Sequence, residues 1–93
     1  MKTYRRRFGV VAYQNTTNTT ESLLEWWKDL GADVKKIEVF ETDIGLKITI
    51  IFNADYDISF YLYKGDWIVY ERGRFDAYTN EMFKRLFVEN KEV

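Results

Sequence analysis

Residues 44–74, IGLKITIIFNADYDISFYLYKGDWIVYERGR, decide how this chain folds. Ile44, Leu46, Ile48, Ile50 and Phe52 alternate with Gly45, Lys47, Thr49, Ile51 and Asn53. A period of two marks a strand with one face on a core and the other toward water. Asn53-Ala54-Asp55 is turn chemistry, because Asn and Asp tolerate a left-handed backbone. The alternation resumes with Tyr56, Ile58, Phe60 and Leu62 on one side and Asp57, Ser59, Tyr61 and Tyr63 on the other. Lys64-Gly65 predicts a second turn, Trp67 to Glu71 a third strand, and Arg72-Gly73 its end. Connections this short force antiparallel neighbours, since a parallel crossover takes about a dozen residues or more. Slipping the register by one residue would exchange Ile48, Ile50, Phe60 and Leu62 for Lys47, Thr49, Ser59 and Tyr61, so the register is strongly specified.

The flanking sequence supplies the remaining elements. Lys2 to Tyr13 reads as a first strand, with Tyr4, Phe8, Val10 and Ala12 on one face and Arg5, Arg6 and Arg7 near its start. Asn15 to Thr20 is a polar loop of low complexity, suited to capping the helix that follows. That helix runs from about Thr20 or Glu21 to Leu30, and Leu23, Trp26, Trp27 and Leu30 form its apolar stripe. Ser22 with Glu25 has capping-box spacing, Thr20 is an equally acceptable cap, and Gly31 ends the helix. Val34 to Glu41 predicts another strand, with Lys36, Glu38 and Phe40 on its outer face, and Thr42-Asp43 turns it into the central stretch. Arg74 to Tyr78 makes a short extended return. Thr79 then caps a last helix from Asn80 to about Glu89, with Phe83, Leu86 and Phe87 on its apolar side. The expected architecture is α+β and two-layered. An antiparallel sheet of about five strands carries both helices on one face, in the order β-α-β-β-β-β-α.

Composition bounds the chemistry. The chain has 93 residues, enough for a single domain spanning 1–93, with 46% hydrophobic and 18% aromatic residues and no proline. Its formal net charge of −1 favours neither nucleic acid nor an anionic membrane overall. No apolar run approaches the ~20 residues of a membrane span. The basic N-terminus lacks an apolar signal core, so no secretion is expected and the two Asn-x-Thr glycosylation patterns at Asn15 and Asn18 are chance matches. His and Cys are both absent, which removes the commonest general base, the thiol nucleophile and the usual zinc ligands. Asp55-x-Asp57 is the nearest acidic motif, but it sits at a hairpin turn and lacks a convergent third ligand. No phosphate-binding or dinucleotide fingerprint is present. The expectation is a protein with no enzymatic activity, no metal and no cofactor.

Recognition is the better reading. Tyr61, Tyr63 and Tyr70, with Phe40, are expected on the sheet face away from the helices, and Arg72 and Arg74 flank them at the Gly73 turn. Tyrosine on a rigid strand gives contact area at little entropic cost, and Arg is the other favoured anchor. Cross-strand packing of the same rings is the plainer alternative. Arg5, Arg6 and Arg7 either solubilise an edge strand or hold a phosphate.

Both ends of the chain resemble a family of small phage and prophage proteins. The opening match is Tyr4-Arg5-Arg6-Arg7 with Val10, Val11 and Gln14. The closing match is Gly65-Asp66-Trp67-Ile68-Val69, then Gly73-Arg74-Phe75, then Phe83 and Phe87. Phe8-Gly9 stands where that family has a proline and a valine, and Asn80 replaces a proline near the last helix start. The resemblance implies a virus-encoded protein acting in the host cytoplasm. With the absent catalytic chemistry, it suggests a module that binds a host protein, as an inhibitor of a defence system such as a CRISPR effector. The alternative is a protein that binds or sequesters a nucleotide or single-strand nucleic acid, with tyrosines stacking on bases and the arginine triplet on phosphate. A homodimer through the tyrosine face is a third arrangement.

Overall fold

The computed structural model describes residues 3–5 and 9–89. Ten elements follow in order: β1 (Thr3–Arg5), β2 (Gly9–Gln14), α1 (Thr20–Leu30), β3 (Lys36–Glu41), β4 (Gly45–Ile51), β5 (Asp57–Tyr63), β6 (Trp67–Glu71), β7 (Arg74–Tyr78), α2 (Asn80–Leu86) and β8 (Val88–Glu89). The fold is α+β with antiparallel strand pairing throughout, as expected. It is not one sheet. The strands divide into a five-stranded sheet, β7-β6-β2-β1-β8, and a three-stranded sheet, β3-β4-β5.

The break falls inside the stretch that reads as a continuous meander. β4 and β5 pair in the expected register, with Leu46 opposite Leu62, Ile48 opposite Phe60 and Ile50 opposite Ile58. β6 then leaves and pairs with β2 and β7 instead. Its sequence explains the departure. Ile68 and Val69 are consecutive and both buried, so this strand is covered on both faces. Ile68 belongs to the main core with Leu23, Leu46, Ile48, Ile50, Leu62 and Phe75. Val69 belongs to a second core with Val10, Ala12, Phe83 and Phe87.

Two cores on opposite faces of β6 also correct the placement of the helices. α1 covers the face that meets the three-stranded sheet, through Leu23, Trp26, Trp27 and Leu30. α2 covers the other face through Phe83, and Phe87 just beyond its end joins the same core. Trp67 stacks on Phe83 with ring centroids 3.8 Å apart, and its indole N–H donates to Asn80 Oδ1 at 3.0 Å. Gln14 Nε2 reaches the same oxygen at 3.4 Å. Asn80 thus ties the start of α2 to two strands.

Smaller boundaries move for local reasons. The predicted first strand is a β1–β2 pair, Thr3 opposite Val11 and Arg5 opposite Gly9. The last helix stops at Leu86, because Phe87 is extended and Val88 and Glu89 pair with β1. Thr19 rather than Thr20 caps α1, its hydroxyl accepting from Ser22 N–H at 3.4 Å. Val34 precedes its strand, which begins at Lys36.

The crossing from β5 to β6 is held by Asn15, the one buried polar side chain among the described residues. Its Nδ2 donates to the Leu62 carbonyl at 2.8 Å and to Asn18 Oδ1 at 3.2 Å. Its Oδ1 accepts from Asn18 N–H at 2.9 Å. Its backbone N–H donates to Asp66 O at 2.9 Å, and its carbonyl accepts from Gly65 N–H at 2.8 Å. The loop after β2 is thereby bonded to Leu62 at the end of β5 and to Gly65 and Asp66 in the turn that follows.

Gly45 stands across from this junction. A Cβ built there would lie 2.8 Å from the Leu62 carbonyl oxygen and 2.9 Å from Tyr63 Cα, both backbone atoms. No side-chain rotation can relieve that crowding, so Gly45→Ala must push β4 from β5. The expected cost is roughly 1–3 kcal/mol in urea unfolding.

Candidate recognition surface

The separate three-stranded sheet has a face that carries no helix. Register sets its composition row by row. Lys36, Ile51 and Asp57 lie in one row, Glu38, Thr49 and Ser59 in the next, and Phe40, Lys47 and Tyr61 in the third. Tyr63 follows opposite Gly45, which has no side chain to cover it. The inward residues Leu46, Ile48, Ile50 and Leu62 are completely buried, which fixes the opposite parity outward. Thr49 and Ser59 hydroxyls meet at 2.8 Å and stitch β4 to β5 in the middle row.

The rings of this row and the next are open. Phe40 is 67% exposed, Tyr61 42% and Tyr63 47%. Tyr61 and Tyr63 stack on each other, with centroids 5.7 Å apart and planes 13° from parallel. Phe40 and Tyr61 thus flank Lys47 in the register, with Tyr63 one row further on, at one end of a regular sheet whose ladder keeps them in place. Scattered single exposed apolar residues are ordinary, but a contiguous cluster of rings on a flat face is not.

The other residues expected to join this surface lie elsewhere. Tyr70 is half-buried in the five-stranded sheet, its ring 4.8 Å from Phe75 on the main-core side. Parity alone cannot reveal this, because it depends on which sheet β6 joins. Arg72 is an exposed residue of the β6–β7 turn with φ at 52°. Arg74 is exposed on β7 and lines a cleft of about 160 Å³ with Phe52, Tyr56, Ile58, Gly73, Phe75 and Asp76. That cleft is at the Phe52–Tyr56 end of the β4–β5 hairpin, opposite to Tyr63. The structure therefore brings Tyr61, Tyr63 and Phe40 together and sets Tyr70, Arg72 and Arg74 apart from them.

Arg6 and Arg7 lie outside the described residues, and Arg5 ends β1 with its backbone opposite Gly9 and Val88. The polar loop does not offer an anion cradle at the α1 N-terminus. Glu41 Oε1 already accepts from Thr20 N–H at 2.7 Å, placing a carboxylate where an anion would go. Beside it, Thr17, Asn18, Glu41, Thr42, Asp43 and Lys64 line a polar cleft of about 360 Å³ that composition alone did not signal. Asn18 Nδ2 donates to Thr42 O at 2.7 Å across its floor. Among the described residues no group of three or more Asp or Glu converges as a metal site, and no helix is long and apolar enough to cross a membrane.

Comparison of the chain with protein-family models, with curated proteins and with solved structures finds no match.

Rings that serve only the sheet would be missed when removed, whereas rings held for a partner would not. Phe40→Ser and Tyr63→Ser, made singly, are expected to change unfolding free energy by less than about 1 kcal/mol. Ile48→Ala, on the inward side of the same sheet, should cost roughly 2–5 kcal/mol in the same denaturation experiment.

Proposed function

We propose that this chain is a non-enzymatic protein-binding module whose contact surface is the outer face of the three-stranded sheet, centred on Phe40, Tyr61 and Tyr63 around Lys47. The observation that carries the reading is the joint exposure of three large rings on one face of one sheet, Phe40 and Tyr61 either side of Lys47 and Tyr63 stacked on Tyr61. Rings held by a sheet lose little freedom on contact, so their burial converts efficiently into affinity. Lys47 at the centre favours a partner that offers an apolar anchor beside a carboxylate. The resemblance to small phage proteins supplies the setting: a virus-encoded inhibitor in the bacterial host, acting by occupying a surface of a defence enzyme such as a CRISPR effector.

The stacked tyrosines also favour a second reading, in which the same face binds a nucleotide or single-strand nucleic acid by stacking its bases. Salt separates the two. Binding through phosphate weakens steeply as salt rises, whereas an apolar contact with one central charge changes little.

The test is a plaque assay in bacteria carrying an active CRISPR system, with the chain expected to raise the efficiency of plating. The triple variant Phe40→Ser/Tyr61→Ser/Tyr63→Ser, still folded by circular dichroism, should abolish that protection. Protection equal to that of the unaltered chain would reject the face as the contact surface. No protection by the unaltered chain against any of several defence types would reject the inhibitor role.

A further inference from the structure

The five-stranded sheet ends at β7. Among the described residues this strand pairs with β6 on one side and with no strand on the other. The turn before it determines which backbone groups face the open side. Arg72 and Gly73 both have positive φ, 52° and 79°, as the two-residue turn that matches strand twist requires. Such a turn makes Glu71 and Arg74 a hydrogen-bonded pair. The alternation of an antiparallel ladder then directs the N–H and C=O of Arg74, Asp76 and Tyr78 toward β6. Those of Phe75 and Ala77 point outward. An edge with outward amides and carbonyls is a template for another strand.

The side chains along this edge complement their own reversed copy. When two β7 strands meet antiparallel with a two-fold axis at Phe75, Arg74 of each lies opposite Asp76 of the other. The same axis sets the outward N–H and C=O of Phe75 against their counterparts, and Ala77 against Gly73. Hydrogen-bond phase and charge thus agree in one register. Arg74 and Asp76 are exposed, and neither has an ion-pair partner among the described residues. The two edges of the three-stranded sheet differ. On β3, Lys36 and Glu38 already pair with each other at 3.7 Å. β5 carries a single charged residue, Asp57, which symmetric pairing leaves unmatched.

We propose that two copies of this chain associate through antiparallel pairing of their β7 edges, joining the two five-stranded sheets into one. The contact is isologous, so each favourable pair occurs twice. The cleft formed by Phe52, Tyr56, Ile58 and Phe75 opens beside this edge and is covered in the pair. The ring-bearing face of the three-stranded sheet stays free on both copies, so this association is independent of the protein-binding reading.

A five-residue edge makes a small contact, so the association is concentration-dependent. Sedimentation equilibrium over a wide concentration range should show one chain passing to two. Arg74→Asp alone, or Asp76→Arg alone, turns two attractive pairs into two repulsive ones and should weaken the dimer by roughly tenfold or more. The double variant Arg74→Asp/Asp76→Arg exchanges the charges and should restore it. Lys36→Glu and Tyr61→Ser/Tyr63→Ser should leave it unchanged, which separates this edge from β3 and from the tyrosine face. A chain that stays monomeric at every concentration overturns the proposal. So do single variants that dimerise as well as the unaltered chain, and a double variant that fails to recover.

Discussion

A single buried amide holds the two halves of this fold together. Asn15 directly follows β2 of the five-stranded sheet and bonds Leu62 near the end of β5, in the three-stranded one. Every polar atom of the residue has a partner, which is the condition for burying an amide without a net cost. The consequence is directional. With the Leu62 carbonyl, the Gly65 N–H and the Asp66 carbonyl all bonded to Asn15, the chain leaving β5 is delivered beside β2 instead of folding back on β5.

Everything that distinguishes the surface follows from that crossing. Because β6 goes to the other sheet, its neighbours there bury it on both faces, and α1 and α2 take opposite sides of it. The three-stranded sheet is left with α1 and the main core behind it and no helix in front. Tyr61 and Tyr63 then stay in the open, while Tyr70 packs half-buried against the main core. Gly45 matters for the same reason: it lets β4 approach the carbonyl that Asn15 also needs.

Much of this was legible in residue types, and the limits are instructive. The parity of β4 and β5 was readable because Lys47, Thr49 and Ser59 alternate with Ile48, Ile50 and Phe60, and a slip would bury charge. The turns were readable from Asn53-Ala54-Asp55 and Arg72-Gly73, where Asp55 and Arg72 do take positive φ. Sheet membership was not. Trp67-Ile68-Val69-Tyr70 is apolar on both sides, which fits either a meander strand with a wet face of aromatics or a strand buried twice over. Asn15 gave no signal, since an asparagine in a polar loop is ordinarily solvated. The expected placement of Tyr70 on the same face as Tyr61 and Tyr63 failed with the sheet assignment, and the arginines at the Gly73 turn went with it.

Removing the amide while keeping its bulk tests this account most directly. Asn15→Leu retains the volume and loses every side-chain hydrogen bond at the crossing, leaving the half-buried Asn18 N–H and one lone pair of the buried Leu62 carbonyl without their partner. Urea unfolding should show a loss of roughly 2–4 kcal/mol. A variant within about 0.5 kcal/mol of the unaltered chain would contradict the claim that this junction determines where the sheets divide.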